Sequence, residues 1–168
     1  EFPRIKIDNA PIRFAYQHPL LFEDGSLIGI YGPAYKIDFC SNLKWINDEE
    51  IFHHSLMIDH EGNIWTGGQM NPKSKYIKKF SIKDFIDDSI IKIDTNSEIL
   101  FNKSVTEILI ENNIVPDNFA FNQYANQTDP IHLNDIEPAM SDSEYWKQGD
   151  VFLSIKKQNS IIHYQPST

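Results

Sequence analysis

The chain has 168 residues, with 24 Asp and Glu against 15 Lys and Arg. The resulting net charge of −9 leaves no basic face to neutralise phosphates and excludes nucleic acid as a partner. Its length suffices for one ordinary core, no apolar stretch approaches the roughly 20 residues of a membrane span, and the lone Cys40 excludes an internal disulfide and a thiolate metal cluster.

In chain order, β-branched and aromatic runs punctuated by Asp-Gly, Gly-Pro, Asn-Asp and Asp-Thr-Asn-Ser predict short strands. A first group covers 4–8, 12–17, 19–23, 26–31, 34–39 and 43–47. A second covers 52–58, 63–67, 76–80, 90–94 and 98–103, and a third 131–137, 151–156 and 160–165. Phe85-Ile-Asp-Asp88 is expected to form a helical turn. Ser104 stands three residues before Glu107 ahead of an apolar run, a capping-box spacing that predicts one short helix near 105–112. The polar stretch 116–129 reads as a long loop.

Three segments begin with histidine, pass through an Asp- or Gly-bearing turn and continue into a second apolar strand. They start at His18, at His53-His54 and at His132. Repeated hairpins of this kind predict an all-β fold built from β-propeller blades of four antiparallel strands. The units are expected at about 18–47, 52–103 and 131–168, in a single partial propeller domain of about three to four blades. With no initiator Met, and blade strands lacking at both ends, the chain is expected to be a piece of a longer protein. Unpaired blade edges would invite self-association.

Equivalent positions in successive blades converge on the central channel, so the histidines are the candidate chemistry. In a strand, His132 and Asn134 share a face, and an imidazole beside a carboxamide can grip an oxyanion. Only one of the adjacent His53 and His54 can join them; the register leaves the choice open and favours His54. His18, followed by Pro19, is a weaker candidate. Ser154 and Lys156 are expected to share a face at the end of the strand pairing with that of His132, placing a cation near the same pocket. Asp59-His-Glu-Gly-Asn63 lacks the later glutamate of a calcium loop and reads as a turn. No nucleotide, zinc-protease or hydrolase motif is present, and no cofactor or metal is implied.

Phe52-His-His-Ser-Leu-Met-Ile-Asp-His-Glu-Gly-Asn-Ile-Trp65 and Asp129-Pro-Ile-His-Leu-Asn-Asp-Ile-Glu-Pro138, followed by Gly149 to Tyr164, resemble the arylsulfotransferase family of bacterial β-propeller proteins. The resemblance implies a six-bladed parent, periplasmic or secreted, that moves a sulfuryl group from an aryl sulfate to a phenol through a sulfated histidine. It makes His132 and Asn134 sulfate-gripping residues, and His53 or His54 the histidine of an earlier blade. The family's arginine falls on Lys156, a point charge in place of a planar fork. The family's nucleophilic histidine lies in a later blade, so the 168 residues alone are expected to bind an aryl sulfate or other small anion without completing transfer. A non-catalytic propeller that binds a ligand or partner is the alternative. A quinone-dependent dehydrogenase is disfavoured, because three Trp and seven Gly are too few for that family's blade signatures.

Overall fold

A computed structural model describes residues 18–30, 32–77, 84–114 and 128–166. The strands expected at 4–8 and 12–17, residues 78–80 and most of the 116–129 loop lie outside the described residues. The fold is mostly β, with antiparallel sheets and one α-helix.

The first sheet is a meander of seven strands, each paired with the next: β1 (Leu20–Leu21), β2 (Leu27–Ile30), β3 (Gly32–Ile37), β4 (Leu43–Ile58), β5 (Ile64–Gln69), β6 (Asp88–Ile93) and β7 (Ile99–Ser104). Helix α1 (Val105–Glu111) follows. The second sheet holds β8 (Leu133–Pro138), β9 (Val151–Ile155) and β10 (Ser160–Tyr164), in the order β10-β9-β8.

Acidic residues make the hairpins. Asp38, Asp59 and Asp94 each accept backbone N–H bonds from the residues two and four positions on, at 2.8–3.0 Å. These are Asx turns, in which the side chain supplies what a tight turn cannot give its own amides. Asp59 is also occupied on its other oxygen by Trp65 Nε1 at 3.2 Å and Lys92 Nζ at 2.8 Å. Gly62, at φ 82°, completes the turn read from the sequence.

Three expectations are corrected. The strands expected at 43–47 and 52–58 are one continuous strand, β4. Its first part pairs with β3 (Ala34 opposite Asn47), and its second part pairs with β5 (Met57 opposite Trp65). The polar residues read as a break are accommodated by a bulge, with Asn47 donating to Ser97 O at 3.0 Å and accepting from Glu49 N at 3.0 Å. Tyr76 and Ile77, expected to start a strand, form a turn instead, held by Ser74 through its carbonyl and hydroxyl. Phe85 to Asp88 is no helical turn: Asp88 already opens β6, and Ile86 N donates to Thr128 O at 2.6 Å.

The helix forms where its cap predicts. Ser104 Oγ accepts from Glu107 N at 3.1 Å and donates to the buried Asp87 at 2.6 Å. Val105, Ile108 and Leu109 are buried with Ile131, just ahead of β8, and with Leu133, Ile136, Val151, Leu153 and Ile155 of the second sheet. Strands β5 and β6 contribute to cores on both of their faces. Trp65 and Ile90 join the second sheet and α1, whereas Ile64, Ile91 and Ile93 pack with Ile28, Ile30 and Ala34 of the first strands. Being covered twice, β6 is buried at five of its six positions, including the polar Asp88 and Ser89, and shows no in-and-out alternation.

Candidate functional site

The second half of β4 and the start of β8 lie side by side, and β8 is held there by one hydrogen bond to β4 and one to β6. Ser55 Oγ accepts from Ile136 N at 3.2 Å. The buried Asp88, at the start of β6, accepts from Leu133 N at 2.7 Å. Across this seam the rings of His54 and His132 stand 5.5 Å apart, centroid to centroid.

Both histidines leave the ordinary strand conformation. His54 has φ 66° and His132 φ 52°, and His18, ahead of β1, has φ 48°. A left-handed non-glycine residue costs of order 1–3 kcal/mol, and such residues concentrate at functional sites. On β4 the register runs from His53 opposite Gly67 to Leu56 opposite Thr66, so His54 and Ser55 form a bulge with no partner on β5. On β8 the register steps from Leu133 opposite Ile155 to Asp135 opposite Ser154, which leaves Asn134 as the bulged residue. The bulges and left-handed turns aim side chains that a flat strand would direct elsewhere.

The two adjacent histidines have different surroundings. His53 Nε2 lies 3.1 Å from Gly68 O and 3.4 Å from Asp88 Oδ1. Both atoms accept only, so Nε2 carries the proton. His53 Nδ1 is buried without a partner, and the ring meets His54 edge-on at 4.8 Å. The His54 side chain, by contrast, has no hydrogen bond to another described residue. Burial pushes its pKa down, the imidazoles of His53 and His132 push it further, and the carboxylates of Asp88 and Asp129 oppose them. The result is a neutral imidazole with available nitrogens near pH 7.

A pH test follows from that direction. Because the folded pKa of His54 lies below its unfolded value of about 6.5, the folded state holds fewer protons between the two. The associated stability is complete above about pH 6.5 and is lost as pH falls through the folded pKa. Urea midpoints should therefore drop on the acid side of pH 6.5. His54→Asn, which tolerates the left-handed backbone and does not titrate, should flatten that slope. An unchanged slope in the variant would assign the acid sensitivity to other groups.

His132 is anchored by Asp129. The carboxylate accepts the His132 main-chain N–H at 3.0 Å through Oδ1 and contacts ring Nδ1 through Oδ2. The carboxamide of Asn134 has no hydrogen-bond partner among the described residues. Lys156 N donates to His132 O at 3.1 Å, so the two main chains touch, while the Lys156 side chain is exposed. Among the described residues no group of three or more His, Cys, Asp or Glu could hold a metal ion, and no helix is long and apolar enough to cross a membrane.

The sequence matches the arylsulfotransferase (ASST) family over residues 13–168, a span that contains every residue of this seam. The chain belongs to the arylsulfotransferase family. No curated protein matches it at a significant level.

In this arylsulfotransferase-family chain the structure brings His54 and His132 together, with Asn134 two residues beyond His132. His53 turns toward Gly68 and Asp88. Two strand-based placements are corrected. His132 precedes β8 rather than lying in it, so it cannot share a pleated face with Asn134 by alternation. Lys156 opens a 3-10 turn (Lys156–Gln158) after β9 ends at Ile155, so it shares no strand face with Ser154. Two carboxylates at the site were not singled out from the sequence. Asp129 carried a signal, an acid three residues before a histidine. Asp88 carried none beyond a pair of acids opening an apolar run.

Proposed function

We propose that this seam is the sulfuryl-binding part of an arylsulfotransferase site, in a protein that moves a sulfuryl group from an aryl sulfate to a phenol through a sulfohistidine. The observation that carries the reading is the neutral His54 imidazole, without a hydrogen bond to a described residue, beside His132 where the β4 bulge meets the start of β8. In the first half-reaction a histidine nitrogen attacks sulfur, the S–N bond forms and the S–O(aryl) bond breaks with its electron pair leaving on the phenolate. In the second the acceptor oxygen attacks, the S–O bond forms and the S–N pair returns to the histidine. His54 and His132 line the path of the group. The Asn134 amide and the Lys156 ammonium attract its oxygens, the logic of an oxyanion hole. By the family resemblance the covalent carrier is a histidine of a later unit.

In this reading the strand units are blades of one propeller domain, and the second half of β4 and β8 are inner strands. An extracytoplasmic setting, periplasmic or secreted, accords with the family. The exposed strand β10 is the edge at which self-association would occur. Lys156 in place of the family's arginine favours the second reading, a propeller that binds small anions without turnover.

Incubating the full-length protein with an aryl sulfate separates the two. Phenol release that requires a phenolic acceptor, with an acid-labile sulfuryl group trapped on histidine, supports transfer. Binding of the aryl sulfate with neither release nor labelling supports the binding module and sinks the transferase.

A further inference from the structure

We propose that Asp129 is a positioning residue that fixes the tautomer of His132, leaving Nε2 as the atom that takes the proton of the incoming phenol. The inference rests on the transferase reading and assigns it a proton path.

Asp129 holds His132 at two points of the same residue. Oδ1 accepts the main-chain N–H at 3.0 Å, and Oδ2 is paired with ring Nδ1. An ionised carboxylate only accepts, so Nδ1 bears the hydrogen and the lone pair resides on Nε2. The main-chain bond helps hold the left-handed backbone of His132, at φ 52°, and the ring bond removes the freedom of the imidazole to turn. Pro130, directly after Asp129, biases that acid to extended backbone. His132 Nε2 itself has no hydrogen-bond partner among the described residues. Its ring neighbour is His54, which burial keeps from competing as a cation.

Transfer to a phenol needs such an atom. As the phenolic oxygen attacks sulfur and the S–N bond of the sulfohistidine breaks, the phenol must lose a proton. His132 Nε2 accepts it, and the resulting imidazolium is stabilised by Asp129 in direct contact. In the reverse sense the same proton is given to the departing phenolate of the next donor. Histidine held by a carboxylate in this way is a recurring device for setting tautomer and orientation.

The test uses Asp129→Asn in the full-length protein. The carboxamide can keep the main-chain bond through its oxygen while presenting an NH2 group to the ring, which favours the opposite tautomer, with hydrogen on Nε2. Nitrogen-15 spectra of histidine-labelled protein, with His132 assigned by its loss in His132→Gln, should show Nδ1–H in the wild type and Nε2–H in Asp129→Asn. kcat should fall about 10²–10⁴-fold, the contribution typical of a positioned acid–base group, with KM for the aryl sulfate nearly unchanged. Asp129→Glu should restore part of the rate. A wild-type His132 protonated on Nε2 overturns the proposal, whatever the activity, and so does wild-type kcat in Asp129→Asn. If the tautomers behave as expected but the wild type transfers no sulfuryl group, the carboxylate's positioning role stands and the transferase reading alone falls.

Discussion

His132→Ala in the full-length protein should lower sulfuryl transfer by at least about 10²-fold, as for the loss of one preorganised group at a developing charge. The scaffold around the residue should survive the change. Leu133 N remains bonded to Asp88, Ile136 N to Ser55, and Leu133 and Ile136 stay in the core. Alanine tolerates the left-handed backbone at 132 less well than histidine, so part of any loss could come from a shifted main chain. His132→Asn answers this, because asparagine accepts that conformation and cannot relay a proton as imidazole does. Both variants should keep the wild-type unfolding free energy, measured in urea, within about 1 kcal/mol, a cost typical of one backbone adjustment. Wild-type rates in the two of them would remove His132 from catalysis.

Phe52→Ala should cost about 3–5 kcal/mol of folding stability, the range for emptying a buried aromatic site, against a typical total of about 5–15 kcal/mol. Phe52 is 1% exposed, and its cross-strand neighbours on β4 are Gly32 of β3 and Gly68 of β5. Neither glycine has a side chain to fill the space that the ring vacates. A Cβ at Gly68 would meet Ile91 Cδ1 at 2.3 Å, so filling the gap from that side requires the Ile91 side chain to move. The collapse that softens many large-to-small changes therefore has no cross-strand side chain to draw on directly beside the ring. A lower urea midpoint with an unchanged m-value would show loss of packing alone. A loss below about 1 kcal/mol would mean that this core relaxes around the gap.

The hairpins, the helix and the family were legible because each rests on local chemistry. An aspartate two residues before an amide that needs a partner is a turn wherever it occurs. Ser104 caps its helix whatever packs above it. The histidines are legible by their repetition but their geometry is not, since histidine's enrichment in the left-handed region is too weak to place a given residue there. Strand alternation was therefore applied to His132 and Lys156, which lie just outside β8 and β9. The joining of two expected strands into β4 was also hidden, because the polar residues Asn47 to Glu50 look like a turn. They are kept extended by bonds to Ser97 and Asn102, about fifty positions away in the chain. The same holds for Asp88, whose tie to Leu133 crosses 45 positions.

The uninterrupted β4 also bears on how the protein reaches this structure. Every strand of the first sheet pairs with its immediate successor in sequence, and every connection except the longer one between Gln69 and Asp88 is a short loop, so closing most pairs carries a small entropic cost. Folding can start at any hairpin and spread along the meander, as in repeat proteins. One strand, however, is the last partner of β3 and the first of β5. The sheet cannot be divided at β4 without unzipping one of its two borders, so the strands before and after it should gain and lose protection against amide hydrogen exchange as one cooperative body.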